Sequence, residues 1–76
     1  MSKLNIISDK QMVKLIVLLG FVEVRQKGSH IFFAHPDGRT TVLPCHNEDL
    51  SRGLLRKILK DIDLSVSEYE RLRKEI

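Results

Sequence analysis

Several features that mark secreted and membrane proteins are missing from this sequence. It has a single cysteine, Cys45, so no internal disulfide can form and a reducing compartment is expected. Residues 1–7 contain one lysine and no apolar stretch of the kind found in signal peptides. No run of the chain approaches the ~20 apolar residues that cross a bilayer. We therefore expect a soluble, cytoplasmic protein that makes no membrane contact.

Spacings typical of metal sites are missing as well. There is no His-x₃-His pattern and no pair of cysteines, which are common ways of holding zinc. The neighbouring acids Glu48 and Asp49 have no second carboxylate cluster in the sequence with which to share a magnesium ion. The sequence therefore predicts neither a metal nor another cofactor.

The charge distribution favours an acidic partner. The length of 76 residues suits one small domain, residues 1–76, in which a modest core buries about 60% of the unfolded surface. The formal net charge is +3, and residues 24–60 carry the excess, with seven basic and three acidic side chains. Such a concentration fits a polyanion such as RNA. An ordinary solvated surface is the alternative.

Helical signals occur at both ends of the chain. Ser8 and Gln11 have the spacing of a capping box, and the apolar periodicity that follows predicts a helix over residues 9–19, ended by Gly20. Ser51 is positioned to cap a second helix, and Ser65 with Glu68 predicts a capping box before a short third one. The apolar stripe of the second helix consists of Leu55, Ile58, Leu59 and Ile62.

Between the helices, the pattern predicts three strands. Residues 21–25, 30–35 and 40–43 are rich in β-branched and aromatic side chains, with a polar connection at 26–29 and a Pro-Asp-Gly turn at 36–38. The expected fold is α+β, an α-β-β-β-α order with a three-stranded antiparallel sheet and a short C-terminal helix. Strand alternation puts apolar side chains on both faces of the second strand. Either a long side chain tucks under an edge of the sheet, or a partner covers the face that the helices leave open; of the two we expect the partner.

The tripeptide Gly28-Ser29-His30 is the candidate catalytic motif. An imidazole titrates near pH ~6.5 and can transfer protons at neutral pH. Arg25 and Lys27 stand just upstream and could neutralise a phosphate, while Ser29 could donate to a phosphate oxygen or cap the loop. RNA carries its own nucleophile, the 2′-hydroxyl, so a general acid–base residue is the main requirement. The structural alternative is a histidine satisfied by a backbone carbonyl.

The chain resembles the HicA-type toxins of prokaryotic toxin–antitoxin pairs from about Met12 to Leu72. The resemblance rests on Gly20-Phe21, Arg25-Gln26-Lys27-Gly28-Ser29-His30, His35-Pro36-Asp37-Gly38-Arg39, Val42, Pro44, His46, Gly53, Leu55 and Ile58-Leu59. It implies a double-stranded-RNA-binding-domain-like fold, an mRNA interferase whose essential histidine corresponds to His30, and a HicB-type antitoxin as partner. Leu54 departs from the family, which commonly has threonine there; the missing hydroxyl is a potential cap or phosphate contact.

The remaining site candidates depend on how the chain folds. His46 can share acid–base work, or contact RNA, only if the loop after Pro44 lies near His30; otherwise it supports the turn. Arg56, on a polar face of the second helix, is a further RNA-binding candidate, as is Gly28 through its backbone. His35 is expected at the surface. Two other functions remain open: a non-catalytic RNA-binding module, and a decayed toxin that acts through protein interaction.

Overall fold

The structure, a computed structural model, describes residues 4–76; residues 1–3 of the predicted domain lie outside that range. The helices and strands follow the predicted order. The α+β architecture with one antiparallel three-stranded sheet is therefore confirmed. In chain order the elements are α1 (Asp9–Leu18), β1 (Val22–Lys27), β2 (His30–Ala34), β3 (Thr40–Pro44), α2 (Arg52–Asp61) and α3 (Val66–Leu72).

Helix α1 begins and ends close to where the sequence indicates. Both halves of the predicted capping box are present: the Ser8 hydroxyl accepts from the Gln11 backbone, and the Gln11 side chain accepts from the Ser8 N–H. The helix ends at Leu18, one residue before the predicted limit. Gly20 follows with a φ of +97°, and a Cβ there would lie 3.2 Å from the His35 ring. Both the turn and the close approach therefore require glycine.

The sheet has the order β1-β2-β3, with adjacent strands antiparallel. The predicted connection at 26–29 is wrong in length, because β1 continues to Lys27 and only Gly28 and Ser29 form the turn. Gly28 has a φ of +59°, and glycine at the first of two central positions is typical of a tight hairpin turn. Strand β2 ends one residue early at Ala34, and β3 includes Pro44.

A β-bulge interrupts the pairing of β1 with β2. Glu23 pairs with Phe33 and Arg25 pairs with Phe32, so Val24 is an extra residue without a partner. In a regular ladder Val24 would lie opposite Phe32, and Arg25 would face the other side of the sheet. The bulge therefore places Arg25 on the same face as Phe32.

The helices cover one face of the sheet. Phe33 and Leu43 point inward and are at most 1% exposed. Strand β1 extends beyond this cover, because all six of its residues are exposed. The opposite face, called here the outer sheet face, carries no helix. It consists of Val22, Arg25, Lys27, His30, Phe32, Ala34, Thr40, Val42 and Pro44, as the strand register shows.

Helices α2 and α3 complete the core as the apolar pattern indicates. The four stripe residues of α2 are all buried, and Tyr69 and Leu72 of α3 turn inward. Ser51 caps α2 by accepting from the Leu54 N–H. Ser65 likewise accepts from Glu68 N–H. The capping box predicted for α3 is only half formed, because the Glu68 carboxylate instead pairs with Arg71 at 2.6 Å.

Candidate active site

The hairpin turn presents His30 at the edge of the outer sheet face. Lys27 and His30 are cross-strand partners on either side of Gly28 and Ser29. The Gln26 side-chain amide donates to the Gly28 carbonyl at 3.1 Å. His30 is exposed at the first position of β2. A tight turn thus holds an accessible imidazole and an ammonium side by side.

Arg25 adds a second cation to this surface. Its guanidinium carbon lies 4.6 Å from the centre of the Phe32 ring, within the range of a cation–π contact. The strand positions of the outer sheet face include no aspartate or glutamate. Arg25, Lys27 and His30 are therefore the charged or ionisable side chains at the strand positions of this face, an arrangement that favours an anionic substrate.

The chain that follows β3 reaches the same turn. His30 pairs with Pro44, and the Cys45 N–H donates to the Ser29 carbonyl at 2.7 Å. His46 is the next residue. The fold therefore meets the condition set by the sequence, that the loop after Pro44 lies near His30. The carbonyl of Ser29 is used in fastening this loop, which here is called the 45–50 loop.

A buried carboxylate anchors the 45–50 loop. Asp9 is 2% exposed, and its Oδ2 accepts from the N–H groups of His46 and Asn47, each at 2.7 Å. Its Oδ1 accepts from the Lys10 N–H at 2.7 Å. Burial raises the pKa of Asp9, but the hydrogen bonds from Asn47, His46 and Lys10 outweigh it and hold the pKa below its usual value. Asp9 is therefore a buried anion.

Sequence reasoning gave Asp9 no functional role. A single acid at the start of a helix is normally read as favourable to the helix dipole. Its burial arises from residues 37 and 38 positions away along the chain, so no local pattern reveals it. The sequence likewise gives Phe32 no place in a site, because the strand pattern does not show the bulge that brings Arg25 over its ring.

A cavity of about 260 Å³ opens beside His46, between the end of β3 and the start of α2. Leu54, at the position where the resemblance leads us to expect threonine, contributes to its wall and is half-buried. Because Ser51 already caps α2, the missing hydroxyl at position 54 does not leave this helix uncapped. The lining residues are Pro44, His46, Glu48, Asp49, Leu50, Ser51 and Leu54.

Other sequence candidates lie elsewhere or are structural. Arg56 is exposed on α2, in the helical layer, and within residues 4–76 it makes no hydrogen bond or ion pair to the hairpin. Burial, together with Asp9 and Glu23, raises the pKa of the Cys45 thiol, which disfavours the reactive thiolate. The surface position expected for His35 is wrong: its ring is half-buried and packs edge-on against Phe21, with centroids 5.1 Å apart.

Two of the motifs on which the family resemblance rests meet where His35 packs against Phe21. Gly20-Phe21 precedes β1, and the turn after β2 supplies His35 and Arg39. The Arg39 guanidinium lies 5.1 Å from the Phe21 ring centre, on an aromatic side chain that also contacts His35. These residues therefore hold the end of α1 to the sheet. Within the part of the chain described, no three His, Cys, Asp or Glu side chains gather into a possible metal site.

Comparison with known proteins identifies the family of the chain. The model of the family described as "HicA toxin of bacterial toxin-antitoxin" matches residues 10–64, a range that includes the hairpin, β3 and α2. A comparison with curated proteins found no significant match. Over residues 4–76, no helix is long and apolar enough to cross a membrane. The chain belongs to the HicA toxin family and is a toxin of a bacterial toxin–antitoxin system.

Proposed function

We propose that this toxin is a metal-independent endoribonuclease that cleaves mRNA in the cytoplasm. The family's toxins are generally ribonucleases, and the grouping of His30, Lys27 and Arg25 on one open face carries the proposal for this chain. In the proposed reaction the 2′-hydroxyl attacks the adjacent phosphorus and the bond to the 5′-oxygen breaks. The products are a 2′,3′-cyclic phosphate and a 5′-hydroxyl.

His30 is the proposed acid–base residue. It is exposed, and its neighbours across the strands are Lys27 and Pro44 rather than a carboxylate. As a base it takes the proton of the 2′-hydroxyl; as an acid it gives a proton to the departing 5′-oxygen. A positioned general acid–base group contributes about 10²–10⁴-fold to a rate.

Lys27 and Arg25 are the proposed phosphate contacts, with Gly28 and Ser29 shaping the turn between the phosphate and the base. Cationic donors stabilise the charge that builds up on phosphate oxygens in the transition state. The Lys27 and His30 positions are fixed relative to one another by strand pairing. A short connection of this kind allows both side chains to reach one phosphodiester.

His46 is the proposed second acid–base residue, because its loop is fastened to Ser29 and Asp9. With two imidazoles one can act as base while the other acts as acid. A bell-shaped dependence of kcat/KM on pH would show two such groups. Arg56 remains a proposed contact for a more distant phosphate.

A HicB-type antitoxin is the proposed partner, and it is proposed to act by covering His30. Strand β1 is a sheet edge with all six residues exposed, and such an edge is available to a second chain. Adding the antitoxin in equal amount should abolish cleavage. An antitoxin that binds fully while cleavage continues would contradict this part of the proposal.

The test is cleavage of a defined single-stranded RNA by the purified toxin in EDTA, with the end groups of the products determined. His30→Ala should lose at least ~10²-fold in rate, and His46→Ala, which removes the second proposed acid–base residue, should slow cleavage as well. Products with 5′-phosphates would contradict the 2′-hydroxyl mechanism, and loss of all activity in EDTA would contradict metal independence. If wild type and His30→Ala bind RNA equally and neither cuts, the protein is a binding module or a decayed toxin.

A further inference from the structure

We propose that Phe32, with the Arg25 guanidinium lying over it, is a stacking platform for one base of a single-stranded RNA. The inference rests on the proposed ribonuclease function and adds a base-binding site to it. Three features support it: the geometry of the pair, its exposure, and the charge of the surrounding face.

The geometry comes from the bulge in β1. Val24 has no partner, and the consequence is that Arg25 pairs with Phe32 instead of pointing to the helical side. The guanidinium then lies 4.6 Å from the ring centre. Bulges commonly re-aim a side chain at a functional position. Planar guanidinium groups and aromatic rings are the two side-chain surfaces on which unstacked RNA bases are held.

The pair lies on the side of the sheet that the helices leave open. Phe32 is half-buried there, and the helices pack on the other face of the sheet. Its cross-strand neighbours are Arg25 on one side and Val42 on the other. Arg25 is an exposed residue, so a base can approach the guanidinium from the solvent. A flat surface is therefore available next to the proposed catalytic residue.

The charge of this face favours RNA as the occupant. Across the outer sheet face the ionisable side chains are Arg25, Lys27 and His30, and its strand positions include no carboxylate. His30 and Phe32 both point to this face, two positions apart on β2. A nucleotide whose phosphate lies between Lys27 and His30 therefore has its neighbouring base within reach of the platform. Such stacking tolerates every base, so the platform supplies affinity rather than strict sequence preference.

The experiment measures binding to a 2′-O-methyl RNA decamer, which lacks the attacking hydroxyl and cannot be cut by the proposed route. Phe32→Leu keeps an apolar side chain beneath Arg25 but removes the aromatic face. We expect it to lose at least about 5-fold in affinity, the lower limit for one stack, because without the ring the guanidinium that carries the base is no longer held flat. Phe32→Tyr should bind like wild type. Val42→Ala, which removes apolar area from the same face, should have a smaller effect than Phe32→Leu.

The salt dependence of RNA affinity distinguishes a lost stacking contact from a lost phosphate contact. Phe32→Leu should leave the slope of log K against log salt concentration unchanged, because no phosphate contact is lost. Arg25→Gln should make the slope shallower by about 0.7, because the guanidinium is also a proposed phosphate contact. Circular dichroism at the assay temperature confirms that each variant is folded.

Each outcome bears on one proposal or the other. If Phe32→Leu binds the decamer as wild type does, the platform is wrong even when the wild type cleaves RNA. If Phe32→Leu binds RNA normally but loses affinity for the antitoxin, the face is a protein interface and the platform is likewise wrong. If affinity falls as expected while wild type cuts no RNA, the platform stands and the ribonuclease function falls. If wild type does not bind the decamer, both are wrong.

Discussion

The Asp9 carboxylate accepts a hydrogen bond of 2.7 Å from the backbone of His46, 37 residues further along the chain. The same oxygen accepts from Asn47, whose φ of +58° lies in the left-handed region. A buried anion at the start of α1 therefore determines the path of the 45–50 loop. The position of His46 relative to the hairpin depends on a residue that itself points away from solvent.

We expect Asp9→Asn to destabilise the protein by about 1–3 kcal/mol at pH 7, because the amide replaces a charged acceptor and turns an N–H₂ toward backbone donors. A melting temperature measured by circular dichroism should fall by about 4–8 °C for each kcal/mol. Asp49→Asn, an exposed acid in the same loop, is the matched control and should change little. Equal melting temperatures for both variants would mean that Asp9 does not anchor the loop.

The Asp9 carboxylate should also affect how the free energy of unfolding depends on pH. The pKa of Asp9 in the folded protein lies below the usual 3.8, so its contribution is present above that value and is lost as pH falls through the folded pKa. Acid unfolding of wild type should thus be steeper below about pH 4 than that of Asp9→Asn. Denaturant titrations at several pH values measure the difference. Parallel curves for the two proteins would contradict the anionic assignment.

The sequence predicts correctly those features that depend on residues close together in the chain. The Ser8 capping box, the α2 stripe and the three strands depend on neighbours in the chain, and each was found within a few residues of its predicted place. The position of His30 at the start of a strand was predicted for the same reason. The bulge at Val24 and the burial of Asp9 depend on partners brought close only by the fold, so no window of sequence contains them.

The hairpin turn allows a test of backbone conformation alone. Gly28 has a φ of +59°, and a Cβ there would meet nothing within 4 Å. Gly28→Ala should cost about 1–2 kcal/mol through left-handed strain. Gly38→Ala, with a φ of +101° and equal space, is the control at the other turn. At a temperature where both remain folded, only Gly28→Ala should also slow RNA cleavage. Similar cleavage rates would show that the turn does not position Lys27 and His30.

Tyr69 should make the protein sensitive to alkali. Burial, followed by the charge of Glu70, raises its pKa from 10.0 to about 12, and its hydroxyl donates to the Asn5 carbonyl. Because the unfolded phenol ionises first, the contribution to stability is complete below pH 10.0 and is lost as pH rises toward 12. Tyr69→Phe should lower stability by about 1 kcal/mol at pH 7 and flatten the alkaline loss. Unfolding free energies at pH 7 and 11 distinguish the two proteins; an unchanged alkaline slope in Tyr69→Phe would assign the loss to other groups.

Leu54 offers a test of the position at which this chain departs from its family. It is half-buried, packs against the core and lines the cavity beside His46. Ser51 already accepts the Leu54 N–H at 3.2 Å, so Leu54→Thr gains no cap and loses apolar contact, at a cost of about 1 kcal/mol. Ser51→Ala, which removes the actual cap, should cost about 0.5–2 kcal/mol. If Leu54→Thr is less stable yet cleaves RNA faster, the threonine hydroxyl contacts the substrate and its loss has weakened this toxin. If cleavage is unchanged, leucine at this position serves packing alone.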